Sequence, residues 1–134
     1  MSQQINAIIT DFNGVLLSLA LNVADVCPTS IIGVHITDIE KLLNKKENFK
    51  KFIDLFCTRV LIYKSRIDEG DEDYFLEKDF KSDLKDEESS ALTHVLSFKS
   101  IWKDLKHDNK QIVITSMQML CELAQNYFDI VYGK

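Results

Sequence analysis

Asp11, Asn13 and Gly14 stand together in the stretch AIITDFNGVLLS, residues 7–18, and Thr115 and Ser116 follow the apolar run QIVI over 111–114. A carboxylate, a glycine and two hydroxyls are residue types that handle phosphate. If both apolar runs are parallel strands, these residues lie outside the carboxyl ends of one sheet, where open α/β sheets gather their reactive groups. There an Asp carboxylate can attack phosphorus, Gly14 lets the backbone turn its amides toward phosphate oxygens, and a Thr hydroxyl can donate to the same phosphate.

The elements that would position them are read from periodicity. INAIIT over 5–10, QIVIT over 111–115 and DIVYG over 129–133 are short, β-branched runs that read as buried strands. Between Asp38 and about Ile62, residues Ile39, Leu42, Leu43, Phe49, Phe52, Ile53, Phe56, Cys57 and Val60 recur at helical steps. The acidic stretch over 68–88, with Tyr74, Phe75, Phe80 and Leu84 as a thin apolar stripe, reads as a solvated helix and loop. Its sixth position counted from Asp68 is Asp73, where a calcium loop requires glycine. SFKSIWKDLKHDN carries Phe98, Ile101, Trp102 and Leu105 on one helical face and ends in a polar break at 107–109, and MQMLCELAQNYF reads as a further helix. The alternation predicts an α/β fold: a partial Rossmann-like parallel sheet formed by 1–16 and 96–134, with a helical cap over 17–95.

A formal net charge of −5 gives no footprint for nucleic acid or an anionic membrane. No uninterrupted apolar segment approaches the roughly 20 residues of a membrane span, and the start of the chain has no basic flank of the kind a signal peptide carries. Cys27, Cys57 and Cys121 are widely spaced and read as reduced thiols of a cytoplasmic protein. His35, His94 and His107 show no ligand spacing, and Lys45, Lys46, Lys50 and Lys51 read as a solvated face.

Three segments resemble the haloacid dehalogenase (HAD) superfamily of hydrolases, mostly phosphatases. AIITDFNGVLL resembles the first motif of that family, KQIVITSMQ the second, and YFDIVYGK the entry to the third strand. The resemblance implies Asp11 as nucleophile, Thr115 as phosphate ligand, and Mg²⁺ held by Asp11 and by the backbone carbonyl of Asn13. It also implies a small phosphorylated substrate. Asn13 occupies the position of the general acid and base, and an amide cannot exchange that proton. Family members continue to a Lys motif and an acidic pair, while the sequence stops at Lys134. Turnover is therefore expected to be impaired, and an open sheet edge is expected to be covered by the cap, a second copy in a homodimer, or a partner chain.

Two other readings stand beside this one. One is a non-catalytic interaction protein, or an enzyme fragment completed by another chain. The other is an unrelated, mostly helical binding protein whose ends imitate the motifs.

Overall fold

The computed structural model describes residues 3–77, 87–96 and 98–133. Phe80, Leu84 and Lys134, named above, lie outside them. Among the described residues the α-helices in chain order are α1 (Gln3–Val26), α2 (Ile31–Val34), α3 (Ile36–Asn44), α4 (Lys51–Arg59), α5 (Lys64–Asp68), α6 (Glu72–Glu77), α7 (Glu87–Val95) and α8 (His107–Tyr132). Short 3₁₀ turns link several of them, and there is no strand among the described residues.

The α/β expectation is thereby corrected: there is no partial Rossmann-like sheet among the described residues, and the proposed strands are turns of long helices. INAIIT belongs to α1, which runs straight through Asp11, Asn13 and Gly14. Its buried residues Ile9, Phe12, Leu16, Leu19, Ala20 and Val23 step by threes and fours across the supposed turn, so burying this stripe outweighs the roughly 1 kcal/mol penalty of an internal glycine. QIVIT falls in α8 in the same way, with Val113, Ile114, Met117, Leu120, Cys121, Ala124 and Tyr127 buried at helical spacing, and DIVYG is the exposed last turn of α8 with Gly133 as its C-cap. Short apolar runs do not distinguish a strand from one turn of a buried helix. The polar residues at 107–109 open α8 where a break was expected.

The helices expected between 38 and 62 are present as α3 and α4. Beyond them, Gly70 adopts a positive φ of 69° and closes α5. Its N–H donates to Ile67 and that of Asp71 to Arg66, the paired bonds of a Schellman ending. Asp71 then accepts from the Asp73 N–H at the start of α6.

One apolar core draws on α1 to α8 and the turns between them. Phe12 meets Phe56 edge to face at 5.2 Å, and Phe75 stacks on Trp102 at 4.6 Å. The Trp102 indole N–H donates to Glu72 at 3.0 Å, which gives the polar end of a buried ring its partner. The most extensive packing is between α1 and α8. By length and composition α1 could cross a membrane, and a third of its most apolar stretch is buried within the fold.

Candidate functional site

Where α1 and α8 pack together, their outward faces leave an open groove of about 750 Å³. From α1 it is lined by Thr10, Asp11, Gly14, Val15 and Ser18, and from α8 by Ser116, Met119, Glu122, Leu123 and Asn126. Both walls follow from helical stepping. The α1 positions 7, 11, 14, 18 and 21, and the α8 positions 112, 116, 119, 123, 126 and 130, advance by alternating fours and threes. That spacing keeps a row of residues on one side of a helix along its length.

Three of the residues singled out in the sequence therefore share a site: Asp11, Gly14 and Ser116. The other two do not join them. Asn13 is two residues beyond Asp11, a rotation of about 200° on a helix. Its amide points inward and donates to the Phe49 carbonyl at 3.0 Å, and its Oδ1 is buried without a partner among the described residues. Thr115 lies in an adjoining depression with Lys64, Asp68 and Gln118, and Met119 and Glu122 form the ridge between the two hollows.

The Asn13 side chain thus points away from Asp11, and there is no cluster of three or more His, Cys, Asp or Glu suited to a metal among the described residues. The groove lining contains two carboxylates, Asp11 and Glu122, and no lysine or arginine. The neighbouring Lys64 ammonium is held by Asp68 at 2.5 Å, and its titration is raised first by that hydrogen bond, with the Asp68 and Glu122 charges contributing. Three carboxylates and one ammonium border the two hollows.

Gly14 is the telling position in this groove. It sits mid-helix, is exposed, and a Cβ added there would meet nothing within 4 Å. No contact among the described residues requires a glycine here, although glycine in a helix interior is less stable than alanine by about 0.5–1 kcal/mol. Beside it, Met119 is 46% exposed and Val15 and Leu123 are half-buried.

No family model, curated protein or solved structure matches the chain. Sequence reasoning missed Met119, Glu122, Leu123 and Asn126 because it divided 111–133 into strand, helix and strand. The alternating fours and threes from Ile112 to Ile130 were the signal that could have found Met119, Leu123 and Asn126.

Proposed function

We propose that this chain is a non-catalytic, helical interaction protein that uses the α1–α8 face to hold another polypeptide. The observation that carries the reading is Gly14: an exposed helix-interior glycine facing open space beside Val15, Met119 and Leu123. A glycine there leaves room for a partner to approach the α1 backbone closely, and the neighbouring apolar side chains supply area that docking removes from water.

The hydrolase chemistry loses its footing with the sheet. Phosphoryl transfer needs donors and positive charge preorganised around the phosphate. In this groove a phosphate dianion would meet Asp11 and Glu122 with no cationic side chain in the lining.

The test is photo-cross-linking in the cell that makes the protein, with the reactive residue placed at Met119 in one variant and at Val34, 66% exposed on α2, in another. Cross-links to a polypeptide from position 119, absent from 34 and lost when Gly14→Leu is added, are expected. Equal labelling from both positions, or Mg²⁺-dependent turnover of an aryl phosphate that disappears in Asp11→Ala, would overturn the reading.

A further inference from the structure

Resting on that reading, we infer that the occupant of the α1–α8 groove is a single amphipathic helix of a partner protein, with an apolar ridge flanked by lysine or arginine. The two walls set the shape of the occupant. On α8 the row Ile112, Ser116, Met119, Leu123, Asn126 and Ile130 covers 19 positions, about 27 Å at the helical rise. On α1 the facing row is Ala7, Asp11, Gly14, Ser18 and Leu21. Two neighbouring rows at this spacing form the trough into which a third helix inserts its side chains. Small residues at 14, 18 and 116 deepen the middle of the trough, and Met119 supplies an adaptable apolar surface there.

Charge selects among the possible occupants. Asp11 lies on one wall and Glu122 on the other, and Asp68 sits beyond the Met119 ridge with Lys64 as its ion-pair partner. A helix with basic flanks meets complementary charge on both sides. A second copy docked by two-fold symmetry would bring this acidic face against itself, a like-charge arrangement that disfavours association.

The experiment uses the full chain and three fluorescent helical peptides that share one leucine and alanine face and differ only in their flanks, which are lysine, glutamine or glutamate. Fluorescence anisotropy is read at low and high salt. The lysine peptide is expected to bind about fivefold tighter than the glutamine peptide, the gain of two or so exposed ion pairs, with the glutamate peptide weakest. High salt removes the ranking because these charges are open to solvent. In Asp11→Asn/Glu122→Gln the three peptides converge while apolar affinity persists, and Gly14→Leu abolishes binding of all three. A Cβ at this position meets open space in the free protein, and circular dichroism verifies that the variant is folded.

Equal affinities for the three peptides in the unmodified chain would overturn the basic partner and leave the docking groove standing. No binding by any peptide, or binding that ignores Gly14→Leu, would overturn the groove as well. Self-association in sedimentation equilibrium that Gly14→Leu abolishes would overturn the partner helix in favour of a second copy.

Discussion

The Tyr127 hydroxyl on α8 donates a 2.6 Å hydrogen bond to Oδ1 of Asp54 on α4. One helical turn earlier on α8, the carbonyl of Ala124 accepts from the Cys57 thiol of α4 at 3.5 Å. These side chains hold the inner face of α8 while its outer face forms the groove. Burial, the hydrogen bond to Asp54 and the Asp54 charge, in that order, push the phenol well above its ordinary range. Tyr127→Phe removes the donor and leaves the half-buried Asp54 carboxylate without it. A loss of about 1–2 kcal/mol in urea unfolding is expected, the low end for hydrogen bonds to charged groups.

Gly14 and Gly33 make opposite predictions. A Cβ at Gly14 meets open space, so Gly14→Ala is expected to raise stability by about 0.5–1 kcal/mol through helix propensity. At Gly33 the same Cβ would lie 2.4 Å from the carbonyl oxygen of Pro28, a backbone atom with little room to move. Gly33→Ala is expected to lower stability by about 1–3 kcal/mol, the range for overpacked sites. Thermal or urea denaturation of the two variants checks the sign of each. A neutral or destabilising Gly14→Ala would place an unseen constraint at the floor of the groove.

What was legible in the sequence was helical stepping where apolar and polar residues alternated clearly, as between Ile39 and Val60. What misled was local concentration of β-branched residues. Ile8, Ile9 and Thr10, and Ile112 to Thr115, look like strands in isolation, and Asp-Phe-Asn-Gly looks like a turn. The α1 stripe continues through Phe12 to Leu16 and Val23, and only a window longer than one short strand reveals it. Asp11, Gly14 and Ser116 are neighbours, though not across a shared sheet edge. They are neighbours because two long helices pack side by side and each presents the same outward row. Thr115 was separated from Ser116 by the 100° step of that helix.

The three cysteines are free, and burial governs their reactivity. Burial first, and then the Asp54 charge, pushes the Cys57 thiol up to about 12; burial and Asp68 do the same for Cys121, also to about 12. The thiolate is the reactive species. At pH 8 a thiol reagent is therefore expected to leave Cys57 and Cys121 unmodified in the native protein and to titrate both after unfolding. Rapid native-state modification of Cys57 at the rate of a free thiol would mean that α4 opens away from Ala124.

His35, between α2 and α3, stacks on His94 of α7 with ring centroids 4.4 Å apart and planes within 10°. Burial, followed by the His35 charge, lowers the His94 titration from its ordinary 6.5. The folded chain thus holds this imidazole neutral at pH values where the unfolded chain has begun to bind a proton. Through that window protonation favours unfolding, so the His94 contribution is full above the unfolded value of 6.5 and is lost as pH falls through the folded value. Urea unfolding of the native sequence and of His94→Gln should diverge between about pH 7.5 and pH 5, with the native sequence losing more stability on acidification. The stacked geometry makes a second demand on the same data. His35→Gln removes the neighbouring charge while leaving the first and larger cause, burial, in place, so its curve should fall between the other two. A His35→Gln curve that coincides with the native one would show that the stack itself has no part in the pH dependence.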